Sequence, residues 1–271
     1  MKMSLFVSVF CCAVSYSSMA QAACVQPPSC AELGFTMDAS KCSGAALKCP
    51  WDLSKAACKQ KEEVVEKIEV GSILYGDGTV SNNIISGKTP IGVVFDVTNR
   101  LALALTDVRE DGTAGSGYMY WSSGVCDTPG LQNCSDSQIS TGTNLTSISC
   151  GADGRMNTYM ILASTCNGTI YAASATNNYQ AAGCAKDFCL KSKWFLPSIR
   201  DLQNVYLHKT KIDATLTLLK SYNAKALQET NYWSSTEYNS DNVWIFYMNQ
   251  GKRLWHHKTV NKRYVRPVVA F

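Results

Sequence analysis

Apolar positions in this chain follow a mixed pattern up to about residue 230 and a pattern of strands after it. Ile91-Gly-Val-Val-Phe-Asp-Val97 and Leu101 to Val108 are β-branched or alternating runs separated by Thr98-Asn99-Arg100, a pattern that predicts a β-hairpin. Gly, Ser and Cys dominate from Asp111 to Gly154, which reads as long loops tied by Cys126, Cys134, Cys150 or Cys166 in a pairing that spacing does not fix. Ala172 to Asp187 is alanine-rich and reads as a helix, with Cys184 and Cys189 near its end. A better-marked helix follows: Ser198 can cap it, Asp201 can return the bond, and Ile199, Leu202, Val205 and Tyr206 share one face. Asp213 begins a third, shorter helix through Leu219.

From Tyr232 the period becomes two. Asn242 to Met248 puts Val243, Ile245 and Tyr247 on one face and Trp244, Phe246 and Met248 on the other, so both faces are apolar and both need a partner. Asn249-Gln250-Gly251 has the chemistry of a hairpin turn into Lys252 to Lys258. Arg263 to Phe271 closes the chain as a strand, with Pro267 suggesting an edge or a bulge.

The amino-terminal end reads differently. Lys2, the apolar run Ser4 to Val14 and Ala20-Gln21-Ala22 have the charge, core and cleavage chemistry of a secretory leader over residues 1–22. Export to an oxidising compartment changes the meaning of the cysteines. Of 13, Cys11 and Cys12 leave with the leader; an odd number remains, which demands a free, intermolecular or modified thiol. Cys24 stands where a lipid anchor could attach, but Gln21 occupies a position that a lipoprotein signal gives to an aliphatic residue, so ordinary cleavage is expected.

Residues 23–58, holding Cys24, Cys30, Cys42, Cys49 and Cys58, are too short to bury a core and read as a disulfide-rich segment. Residues 59–70 form a charged linker, and 71–271 a main domain. Hydrophobic residues are 46% and charged residues 17% of the chain, a balance for a folded globule with no apolar run long enough to span a membrane. The net charge of +4 is spread among acidic neighbours until the last part of the chain, so nucleic acid is not an expected partner.

Several blocks of the main domain resemble the Lcl C-terminal domain family of bacteria, related to the major paralogous domains of gut species. They are Ile73-Leu-Tyr-Gly-Asp-Gly-Thr79, Lys88-Thr-Pro-Ile-Gly-Val-Val-Phe95, Trp194-Phe-Leu-Pro-Ser198, Tyr232-Trp-Ser-Ser-Thr-Glu237 and Tyr264-Val-Arg-Pro-Val268, the last two being the specific ones. The resemblance implies an α+β, C-type-lectin-like fold: two or three helices on a twisted antiparallel sheet, with loops pinned by bridges. It also implies a surface module, adhesin-like, whose carboxy-terminal strands can be diversified in sequence. A fold names no ligand, so the site must come from side chains.

The candidate ligand-binding residues are Tyr238, Asn239, Asn242, Trp244, Asn249, Arg253, Trp255, His256, His257 and Lys258, a concentration of Tyr, Trp, Asn and Arg suited to a rigid recognition surface. The bland reading puts Trp244 and Phe246 in the core and leaves ordinary hairpin surface. Lys252, Arg253, Lys258, Lys262 and Arg263 form a basic strip that fits acidic glycans or, equally, protects an edge strand. Adjacent histidines on a strand face opposite ways, so no metal or other cofactor is expected. Glu237 and Arg266 are assigned to scaffold hydrogen bonds. His208, His256 and His257 are the only histidines and none sits in a catalytic signature, so the expected class is a binding module and not an enzyme. The expected partner is a glycan or protein at the cell exterior. The rival is an envelope or fimbria-associated structural protein forming homo-oligomers through its cysteine-rich amino end.

Overall fold

A computed structural model describes residues 35–37, 58–60, 67–139 and 148–271. The expected leader, most of the cysteine-rich segment and part of the expected linker lie outside the described residues. The chain divides into two compact units between Val65 and Glu66. In the first, β1 (Phe35–Met37) pairs antiparallel with β2 (Cys58–Gln60).

The second unit is α+β and its strand pairs within sheets are antiparallel. Its larger sheet joins β3 (Ile73–Tyr75), β4 (Val80–Ser81), β5 (Pro90–Asp96), β6 (Leu101–Ala104), β7 (Trp194–Phe195) and β11 (Val268–Ala270) in the order β4-β3-β5-β6-β11-β7. The smaller one joins β8 (Asn231–Glu237), β9 (Asn242–Tyr247) and β10 (Lys252–His257), with β9 central. The expected hairpin is the β5–β6 pair, aligned Val93 to Leu103, with a register shift before Asp96.

Strand alternation builds two cores. Ile73, Tyr75, Val93, Phe95, Leu103 and Val268 face one; Leu74, Ile91, Ala102, Ala104, Trp194 and Val269 face the other. The first is covered by α4 (Ile199–Leu207) and α5 (Lys209–Leu218), the second by α2 (Gly154–Ala163) and α3 (Ala172–Asn178). A single-turn helix, α1 (Asp136–Ile139), precedes them. β9 feeds both cores: Trp244, Phe246 and Met248 enter the first, Val243 and Ile245 the second. Both faces of that strand therefore find partners inside the molecule. Trp121, Trp194, Trp233 and Trp244 are buried, and each places its indole N–H on a backbone carbonyl: Trp121 on Ser234, Trp194 on Cys189, Trp233 on Met119 and Trp244 on Cys134.

Ser198 and Asp201 form the expected capping box at the head of α4. Other expectations need correction. The helix over Ala172 to Asp187 stops at Asn178, where Tyr179 turns extended and packs its ring edge-on against Trp194 at 4.9 Å. α5 starts at Lys209 and not Asp213, and the Lys209 ammonium lies 2.7 Å from the Asp213 carboxylate one turn on. α2 went unread because its inward face includes Asn157 and Thr158 beside Ile161, which blurs the apolar period; Asp153 caps it by accepting from the Met156 N–H. The last strand is shorter than expected and central. β11 lies between β6 and β7, and Pro267, just ahead of it, accepts from the Ala104 N–H through its carbonyl. A proline is tolerated there because the bond needs only its carbonyl.

The six cysteines of the second unit pair as Cys126–Cys166, Cys134–Cys150 and Cys184–Cys189. Cys24, Cys30, Cys42 and Cys49 lie outside the described residues. Among the described residues no helix is long and apolar enough to cross a membrane.

Candidate functional site

The end of the β8–β9–β10 sheet opposite the Asn249-Gln250-Gly251 turn carries the most developed surface feature. Register fixes it: Trp255 stands opposite Trp244 and Arg253 opposite Phe246, so these share a face with His257, while Lys252, Leu254 and His256 point the other way. Trp244 is 1% exposed, and its indole is tied to the Cys134 carbonyl beside the Cys134–Cys150 bridge. Tyr238 meets the Trp244 ring edge-on at 5.7 Å and stacks on Trp255 at 4.9 Å, with 8° between the planes. Trp255 remains 43% exposed. The result is a graded aromatic series, from a locked indole through a half-buried phenol to an indole in solvent.

Polar groups hold the series in place. The Tyr238 hydroxyl reaches Asp136 Oδ2 at 3.4 Å. Asn239 Oδ1 accepts from the Asp241 N–H, the Asn242 N–H and the Asn242 side-chain amide at 2.9–3.0 Å, closing the β8–β9 turn. Asn239 and Asn242, expected to face a ligand, are thus occupied in turn formation.

Three further candidates are corrected. Trp244 is core, as the bland reading had it. Lys258 is wholly buried: its ammonium donates to Glu237, to the Cys126 carbonyl at 2.6 Å and to Asn167 Oδ1 at 3.2 Å. Asn249 is exposed, but at the far end of the hairpin, several residues along the strand from Trp255. What converges is Tyr238 and Trp255, flanked on the same face by Arg253 and His257. His257 Nδ1 lies 3.1 Å from the Thr259 hydroxyl, and burial pulls the Arg253 guanidinium below its usual range.

The basic strip also divides. Lys258 goes inside, and Arg263 lies over the Trp233 ring at 5.7 Å with one nitrogen 3.3 Å from His256 Nδ1. Burial, and then the Arg263 charge, hold His256 below the usual imidazole range. Lys262 stands over Tyr120 at 5.1 Å. Sequence reasoning missed Tyr118 and Tyr120, both exposed, which flank the Met119–Arg263 bridge. Their signal was the alternation Tyr118-Met-Tyr-Trp121 inside a stretch read as loop.

Arg266 serves the scaffold as expected, and Glu237 is bound inside the fold by Thr128 and Lys258. Arg266, fully buried, donates to Asp107 at 2.6 Å and to the carbonyls of Ala104, Lys225 and Ala226. Among the described residues no group of three or more His, Cys, Asp or Glu is arranged to hold a metal ion.

No family model matches the chain, and no curated protein matches it. Among solved structures, a fimbrial protein from Bacteroides ovatus ATCC 8483 is similar over 75% of this chain, at 15% sequence identity and a TM-score of 0.47. The chain spans about half the length of that protein, covering 49% of it.

Proposed function

We propose that this chain is an exported, adhesin-like module of C-type-lectin-like fold that captures a glycan carrying acidic groups at the cell exterior, using the Tyr238–Trp255 platform. The observation that carries the reading is the half-exposed Trp255 ring, held flat against Tyr238 over a buried Trp244. An aromatic face fixed before the ligand arrives loses little freedom on binding and offers a large apolar area to the C–H face of a sugar ring. Arg253 on the same face supplies a cation for a carboxylate or sulfate. The three bridges of this unit suit an oxidising exterior. The reading assigns no chemical step on the ligand.

Sequence diversification of the hairpin fits only part of it. Trp244, Lys258, Asn239 and Asn242 hold the scaffold, so variation without loss of folding is confined to outward positions such as Arg253, Leu254 and Trp255.

A glycan array that includes sulfated and uronic-acid polymers, probed with the full chain and with Trp255→Ala, tests the proposal. Capture by the parent and none by a folded variant is the expected result. Absence of capture on every glycan overturns the ligand class, and equal capture by both chains removes the platform from the site.

A further inference from the structure

We propose that Lys258 and Asn167 become joined by an intramolecular isopeptide bond, which the folded protein forms on itself with Glu237 as proton carrier. Three side chains with the required chemistry, an amine, a carboxamide and a carboxylic acid, meet in one sealed site. Lys258, Asn167 and Glu237 each have no exposed surface. The Lys258 Nζ lies 3.2 Å from Asn167 Oδ1 and contacts Glu237 Oε1. The amide carbon is one bond beyond that oxygen, so the nucleophile needs only a small side-chain rotation to reach it.

The surroundings serve each stage of such a transfer. The Cys126 N–H donates to Asn167 Oδ1 at 3.1 Å, where negative charge gathers when an amine adds to the amide carbon. The Asn167 Nδ2, the nitrogen that must leave, hydrogen-bonds the Thr128 hydroxyl at 2.7 Å, and that hydroxyl donates to Glu237 Oε1 at 2.9 Å. Glu237 is thereby connected to both the attacking and the departing nitrogen. The Trp121 ring, 5.0 Å from Nζ, closes one side against water.

The protons balance. Glu237 removes one proton from the Lys258 ammonium, and the free amine adds to Asn167 Cγ. The added nitrogen loses a second proton; of the two, one reaches the departing nitrogen through Thr128 and the other stays on the Glu237 carboxyl. The C–N bond to Nδ2 breaks, ammonia leaves, and a secondary amide joins Nζ to Cγ. No oxidant or co-reactant enters. Burial favours the starting state, because it pushes the Glu237 carboxyl up and the Lys258 ammonium down from their ordinary ranges, towards neutral acid and free amine.

The bond has a structural consequence. Lys258 follows directly on β10, and Asn167 adjoins Cys166, so the linkage would tie the end of the ligand-bearing hairpin to the loop already pinned by Cys126–Cys166. Unlike that disulfide, it would survive a reductant.

The test is the intact mass and tryptic map of the full exported chain after reduction and alkylation. A mass lower than the sequence by one ammonia is expected, with Lys258 and Asn167 in one branched peptide and no cleavage after Lys258. Glu237→Gln and Asn167→Ala should give the full mass and separate peptides. Separate peptides from the parent chain overturn the proposal and leave a buried ion pair. The parent map decides even if a variant does not fold, and a Glu237→Gln chain that folds and is still linked overturns the role of Glu237.

Discussion

Trp255 and Tyr238 stack with 8° between their planes although β9 separates β10 from β8, because Tyr238 follows directly on β8 and meets the Trp244 ring of β9 edge-on. The contact makes an exposed indole part of a rigid body. Trp255→Ala is therefore expected to abolish glycan capture while shifting stability by less than about 1 kcal/mol, as for surface truncations. Trp244→Ala removes a core ring and is expected to cost about 3–5 kcal/mol. Denaturant titrations of the two variants, alongside the array, separate the roles; equal destabilisation places Trp255 in the core.

The buried Arg266–Asp107 pair links the chain's end to the loop after β6, and Tyr232 donates to the same carboxylate oxygen at 3.1 Å. Arg266→Met leaves a carboxylate in an apolar setting and is expected to lose about 3–5 kcal/mol, measured by urea unfolding. Adding Asp107→Asn should restore part of that loss. Strict additivity of the two changes argues against a coupled pair.

Asp201 gives the fold a pH dependence. Burial raises its carboxyl to about 7 against the opposing Ser198 N–H and hydroxyl bonds. In the unfolded chain the group loses its proton near pH 4, whereas in the fold it keeps the proton until about 7. The fold thus holds more protons in that window, and stability falls as pH rises through it, by up to about 1.4 kcal/mol per pH unit. Asp201→Asn should remain folded and flatten this slope. A slope unchanged in the variant assigns the dependence to another group.

The three bridges should differ in worth with the length of chain they close. Sequence separations of 40, 16 and 5 for Cys126–Cys166, Cys134–Cys150 and Cys184–Cys189 correspond to about 4, 3 and 2 kcal/mol in the chain-entropy model. Paired Cys→Ser variants, compared by thermal unfolding, test the order. Should the short Cys184–Cys189 loop matter most, native-state packing outweighs chain entropy. The Cys126–Cys166 comparison carries a further condition: an isopeptide link through Asn167 would mask most of its loss.

The chain's own order determined a good deal. The capping box at Ser198, the β5–β6 hairpin and the two-sided alternation of β9 depend on neighbours a few residues apart, and such local preferences survive in any compact state. The scaffold role of Arg266 was also legible, since a charge between apolar neighbours such as Val265 and Val268 must find a partner.

Tertiary structure alone decided the rest. Whether Lys258 is one more surface cation or the centre of a sealed cluster depends on Thr128, Asn167 and Glu237, which are distant in sequence and have no periodic relation to it. The same holds for the pairing of the six cysteines, for the central place of β11, and for which ring among Trp244, Tyr238 and Trp255 stays in water. Alternation assigns a side chain to a face of a strand; only the packing of other elements against that face determines whether it becomes core or surface.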